Sequence, residues 1–169
     1  GLDGLDGGNY LPQAAGETWD KRFGDCKAKS VLLLALLSEM GIAAEVVLVS
    51  SRGGDAVPGL LPLPAAFDHM IVRAQIDGTD YWLDGTSAAT RLANLADVPP
   101  FFHALPLRAG GAGLVAMDQR DLAQPQMAIA VTADQTAGVD FPQLVEVDIT
   151  LTGPGGARLR AVADDDSPE

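Results

Sequence analysis

The chain has 169 residues, 47% of them apolar, enough for one ordinary domain or a small domain with part of a second. Its formal net charge of -12 and pI near 4.3 argue against nucleic acid or an anionic membrane as the main partner, because both reward basic patches. No apolar run approaches the roughly 20 residues that span a bilayer, so membrane insertion is not expected. A single cysteine excludes an internal disulfide framework and any Cys-rich zinc site.

In chain order, residues 1–18 are glycine-rich at their start and read as a loop or frayed edge. From Cys26 to Met40, Val31, Leu34 and Leu37, with Leu33 and Met40, recur at helical spacing, and Gly41 follows where a C-terminal cap belongs. Ala44 to Ser50 is β-rich. Arg52 to Ala66, broken by Gly53, Gly54, Pro58, Gly59, Pro62 and Pro64, is a loop of the length that shapes access to a site. Two strands follow, Phe67 to Ile76 and Thr79 to Asp84, joined by the strong hairpin signal Asp77-Gly78.

After Thr86 the pattern weakens, with a short strand at Gly113 to Met117. Residues 127–132 and 143–151 read as strands, and Leu151 to Ala157 as a turn into a further strand near Arg158 to Val162. The expected architecture is α+β, a helix packed on an antiparallel sheet. Residues 1–118 form the core, and residues 119–169 a linker and the start of a β-rich domain. With neither an initiator Met nor a signal-like start, the chain reads as an excised fragment. Its truncated β segments leave edges that invite pairing into a homodimer.

Cys26 lies at the mouth of the long helix, in Phe23-Gly24-Asp25-Cys26-Lys27-Ala28-Lys29. All three lysines, Lys21, Lys27 and Lys29, fall within five residues of it, together with Arg22. Nearby cations and a helix N-terminus both favour thiolate, so this placement reads as a reason for reactivity, although solvated helix flanks would look the same. Only His69 and His103 can serve as a base.

Hairpin register separates the two histidines. Pairing Ile76 with Thr79 puts Asp84 opposite Ile71, which makes Asp84 and His69 diagonal neighbours roughly 7 to 8 Å apart at the backbone, within reach of a side-chain hydrogen bond. Trp82 shares their face, while Asp68 points the other way. Met70, Val72, Ala74 and Ile76 with Tyr81 and Leu83 make the opposite, apolar face. Docking the helix mouth on the His69 face assembles thiol, imidazole and carboxylate as nucleophile, base and orienting acid. Taken singly, each has a plainer reading: a small buried hydrophobe, a strand histidine, the start of the Asp84-Gly85-Thr86 turn. His103 has no comparably placed carboxylate and reads as structural. A metal site from Cys26, His69, His103 and an Asp matches no compact zinc spacing, so no metal or other cofactor is expected.

These residues resemble the bacterial transglutaminase-like superfamily, with its papain-like cysteine-protease core. The likeness rests on Tyr10-Leu11-Pro12, the Cys26 segment with its Leu-rich helix and Met40-Gly41-Ile42, Val49-Ser50-Ser51-Arg52, Phe67-Asp68-His69-Met70-Ile71-Val72, and Tyr81-Trp82-Leu83-Asp84-Gly85-Thr86. It covers about residues 9–117. The family usually has Asp where Ala28 stands and Pro where Gly85 stands, neither a reacting group. It often carries a β-rich domain before the core and another after it, so the resemblance implies a core with an incomplete early segment and the beginning of the second domain.

The resemblance implies a Cys26–His69–Asp84 triad, acyl transfer from an amide through a Cys26 thioester, a peptide or protein substrate, and a periplasmic or extracytoplasmic location. The Cys26 N–H is the first oxyanion donor. Asn9, Tyr10 and Gln13, with Trp82, are the candidates for a second donor or substrate contact. Hydrolysis, as in a cysteine peptidase or amidase, is preferred narrowly over glutamine crosslinking. A non-catalytic binding or scaffolding module with the same fold is the reading from another class.

Overall fold

The structure, a computed structural model, describes residues 11–140 and 142–165. It is α+β. The chain divides into two compact units: one runs through Ser87 and takes up again over Leu95–Asp121, and the other comprises Ala88–Asn94 and the stretch from Leu122 onward.

The first unit begins with helix α1 (Ala15–Lys21) and helix α2 (Cys26–Glu39). The sequence reading treats residues 1–18 as loop, but Ala15 to Thr18 are helical, with Thr18 buried and bonded from both its N–H and its hydroxyl to the Ala14 carbonyl. Glu17 and Lys21 pair one turn apart at 2.6 Å. Asp25 caps α2, its carboxylate accepting from the Ala28 N–H at 2.9 Å. The other end closes with Gly41 in the left-handed region, φ 72°.

Strand β1 (Ala43–Val49) follows, then a loop with single 3-10 turns at Val57–Gly59 and Pro64–Ala66, then β2 (His69–Ile76) and β3 (Thr79–Leu83). Asp77 and Gly78 both have positive φ, 50° and 77°, as a two-residue turn matching strand twist requires. The register is the expected one, Ile76 opposite Thr79 through Val72 opposite Leu83. Strands β4 (His103–Pro106) and β5 (Val115–Ala116) complete an antiparallel sheet in the order β3-β2-β1-β4-β5.

Both faces of this sheet are covered. Leu33 and Leu37 of α2 pack on Val72, Ala74, Tyr81 and Leu83. Val47, Val49, Ile71 and Trp82 pack on the other side against Val98, Ala104 and Met117. The helix therefore docks on the apolar face, not on the His69 face as expected. The cause is area: that face offers a contiguous aliphatic surface to the Leu-rich helix, while the His69 face is already filled by the segment from Val98 to Met117.

In the second unit β6 (Met127–Asp134) and β7 (Leu144–Leu151) form an antiparallel pair, followed by helix α3 (Gly153–Asp165). The strand expected near Arg158 to Val162 is thus helical. Pro154 stands in the first turn, where a missing N–H costs nothing, and the Ala157-to-Ala163 run favours helix. Among the described residues no helix is long and apolar enough to cross a membrane.

Candidate active site

Asp84 Oδ2 lies 2.9 Å from His69 Nε2. Its other oxygen accepts from the Thr86 N–H at 2.8 Å and the Thr86 hydroxyl at 2.6 Å, so both oxygens are engaged and the carboxylate cannot swing away. Burial alone would raise the Asp84 pKa, but the bonds from His69 and Thr86 hold it below its ordinary value. With Asp84 on Nε2, the hydrogen bond between the imidazole and Cys26 falls to Nδ1.

Helix α2 meets the sheet where β3 ends. Because Ile76 and Thr79 close the turn, Ile76, Ala74, Val72 and Met70 all present N–H and C=O toward β3. Leu83, the last residue of β3, faces Val72, so Met70 has no strand partner on that side. The first turns of α2 lie along this edge: Ser30 Oγ donates to the Met70 carbonyl at 2.9 Å, and the Met70 N–H helps to lower the Cys26 pKa. Cys26 reaches His69 from this edge.

Close approach is purchased with small residues. A Cβ on Gly24 would fall 2.7 Å from the Ala28 Cβ, and one on Gly85 would fall 3.2 Å from the Lys29 Cβ. Ala28, where the resembled family usually has Asp, is fully buried against this loop, and Gly85 lets the Asp84 turn lie on the helix.

The electrostatics follow. The hydrogen bond from His69 lowers the Cys26 pKa, against burial and with help from the Met70 N–H. His69 is raised to about 9, first by Asp84 and then by Cys26, against its own burial. Each group thus favours the charged form of the other: the imidazole lowers the thiol and the thiol raises the imidazole. The lysine cluster contributes little. Lys27 is held by Asp25 at 2.7 Å and acts on the thiol only weakly, and Lys21 is taken by Glu17. Of the causes that lower the Cys26 pKa, His69 therefore comes first and the Lys27 charge last, because a direct hydrogen bond outweighs a neutralised ammonium.

His69 is also fixed from behind. Asp68 accepts from both the Ser51 N–H and the Ser51 hydroxyl, each at 2.7 Å, and its own N–H donates to the Val49 carbonyl, tying the start of β2 to the end of β1. The Phe101 ring meets the imidazole edge-on at 5.8 Å between centroids. His103 donates from Nδ1 to the Gly54 carbonyl at 2.9 Å, bracing the loop after β1 against β4.

Among the remaining sequence candidates, Trp82 is buried in the core with the Arg73 guanidinium 5.6 Å from its ring centroid. Gln13 Nε2 is buried and has no hydrogen-bond partner among the described residues. Asn9 and Tyr10 lie outside the described residues. Among those described, no three His, Cys, Asp or Glu side chains gather as a metal site needs. Sequence reasoning missed Met70, Ser30 and Phe101. Ser30 alone carried a signal, a hydroxyl four residues from Cys26 in an otherwise apolar helix.

No protein-family model, curated protein or solved structure matches the chain.

Proposed function

We propose that the protein is a thiol-dependent acyl-transfer enzyme that hydrolyses amide bonds of peptides, with Cys26 as nucleophile, His69 as general acid and base, and Asp84 as the group that orients the imidazole. One observation carries this reading: a partly exposed thiol whose pKa is lowered first by an imidazole, that imidazole having its Nε2 2.9 Å from a doubly anchored carboxylate. The order of helix, strand and following strand agrees with the transglutaminase-like, papain-like core that the sequence resembles.

The Cys26 thiolate attacks the amide carbonyl carbon. Helix α2 begins at Cys26, whose N–H has no intrahelical acceptor and is free to donate to the oxyanion, since Asp25 takes the N–H groups of Lys27 and Ala28. Gln13 Nε2 is the second donor, its amide being the one sequence candidate with an unused buried N–H. His69 Nδ1–H protonates the departing amine, leaving a thioester and a neutral imidazole. That imidazole takes a proton from water, the hydroxide adds to the thioester, and the acid leaves as Cys26 returns to thiolate. The partly exposed thiol leaves the acyl enzyme open to water, which favours hydrolysis over crosslinking.

Iodoacetamide labelling of Cys26 across pH tests the nucleophile. Rapid alkylation is expected well below the ordinary thiol pKa and lost in His69→Ala; ordinary thiol reactivity, indifferent to that substitution, would sink the proposal. A peptide library compared between wild type and Cys26→Ala then tests turnover. Offering a labelled amine with a glutamine peptide separates the acceptors: incorporation marks crosslinking, and free ammonia alone marks hydrolysis.

A further inference from the structure

Helix α2 is apolar on two flanks. Leu33 and Leu37 pack on the sheet, while Leu32 and Leu36, with Leu33 at the border, line a cavity of about 310 Å³ together with Trp19 and Phe23. Trp19 in α1 and Phe23 just past its end are 60% and 54% exposed, and Arg22 between them ends α1 in the left-handed region at φ 53°. Large aromatics left open to solvent beside a concave apolar wall are the ordinary composition of a ligand pocket.

Two features give this cavity a direction and a charge. Gly24, two residues before Cys26, and Gly85, the residue after Asp84, both line it, and two residues of chain span at most about 7 Å. A peptide with its carbonyl at Cys26 spans at most about 3.6 Å per residue, so residues two or three positions away reach the cavity. Arg22 and Lys29 also line it, and no carboxylate does. Lys21, Lys27, Arg73 and Arg108 are each held by a carboxylate; among the described residues Arg22 and Lys29 have none, and unlike Arg91 and Arg120, which bond to backbone carbonyls, both line the cavity. On a protein of net charge -12, two unengaged cations beside an apolar cavity mark the place where an anion is welcome.

We infer that this cavity is a substrate subsite for a peptide in which a bulky apolar side chain is followed directly by Glu or Asp, the apolar group filling the space between Trp19 and Leu36 and the carboxylate meeting Arg22 and Lys29. The inference rests on the assignment of Cys26 as nucleophile. The apolar walls supply affinity and the two cations supply selectivity.

The test uses Cys26→Ala protein, which binds without turnover, titrated with N-acetyl-Phe-Glu-amide and with N-acetyl-Phe-Gln-amide. Trp19 fluorescence is the readout, since the other tryptophan, Trp82, is buried in the core and provides a constant background. A saturable change is expected with the Phe-Glu probe, with about fivefold to tenfold weaker binding of the Phe-Gln probe, the size of one or two exposed charge contacts. Arg22→Gln/Lys29→Gln is expected to make the two probes equal, and Arg22→Gln alone to close part of the gap. No saturable binding, equal binding of the two probes, or a preference untouched by these substitutions overturns the inference.

In wild type the Phe-Glu probe is further expected to slow iodoacetamide alkylation of Cys26; undiminished alkylation at saturating probe overturns the subsite. Alkylation without any peptide reports on the nucleophile alone. An unreactive thiol there counts against the catalytic reading, while the titrations in Cys26→Ala still decide the cavity.

Discussion

Two antiparallel strand pairs in this chain are treated in opposite ways. The β2–β3 pair has both faces filled, by α2 on one side and by Val47, Val49 and their neighbours on the other, and Ile71, Val72 and Ala74 are completely or almost completely buried. The β6–β7 pair lines up Met127, Ile129 and Val131 with Leu151, Ile149 and Val147 on one face, yet Met127, Ile129, Val131, Val147 and Ile149 are each more than half exposed. Strand pairing alone is marginal in water, and rigidity comes from the layers laid on it. The His69–Asp84 pair sits on the hairpin that has those layers, which is where a hydrogen bond of 2.9 Å can be held without continual reorganisation.

The largest effects are expected at the site. Cys26→Ala should lower peptide hydrolysis by about 10⁴-fold or more with little change in Tm, read by single-turnover assay and thermal melt. Asp84→Asn, which keeps the shape but loses the charge, should cost about 10³ to 10⁴-fold. It should also move the alkaline limb of the rate profile below its wild-type position near pH 9, because Asp84 is the leading cause of the raised His69 pKa. An unchanged alkaline limb would show that the carboxylate does not act on the imidazole.

The comparison between the hairpins is put at risk by a matched pair. Ile71→Ala should destabilise by about 2 to 5 kcal/mol in urea, and Ile129→Ala by no more than about 0.5 kcal/mol. A large cost at Ile129 would mean that the apolar face of β6–β7 is covered in solution.

A pH-dependent effect should be smaller. His69 titrates at about 9 in the folded protein against about 6.5 unfolded, so its contribution to stability is complete below pH 6.5 and fades as pH rises through 9. Cys26, with a lowered pKa, runs the other way, and Cys26→Ala removes that opposing titration. In that background, the Tm difference between His69 and His69→Gln proteins should shrink as pH rises from 6 toward 10; a widening difference would contradict the raised pKa. The smallest change is expected for Lys27→Gln, no more than about threefold in the alkylation rate of Cys26, since Asp25 already holds that ammonium.

The sequence made the site legible because hairpin register is arithmetic: a two-residue turn at Asp77-Gly78 determines which residues face each other, and Asp84 and His69 follow. Helix α2 was equally plain from its leucine spacing and the Gly41 that follows it. What failed to show depends on partners distant in sequence. Strand β4 is short, lies close behind Pro99-Pro100 and exists because it pairs with β1. The face on which α2 docks was decided by how much apolar surface each side of the sheet had left to bury. Helix α3 was hidden by Gly153-Pro154-Gly155-Gly156, whose propensities argue for a turn even though a helix can begin there.

Strand β2 extends past the end of β3, and the length mismatch acts as a socket. The surplus backbone of Met70 is a plug point that α2 meets with the Ser30 hydroxyl and the Cys26 thiol, so the start of the helix is seated on groups that a longer β3 would have consumed. Lengthening the hairpin by one residue pair would zip that edge closed and unseat the helix without touching Cys26, His69 or Asp84. Where one strand stops is therefore as much a part of this candidate site as any of its side chains.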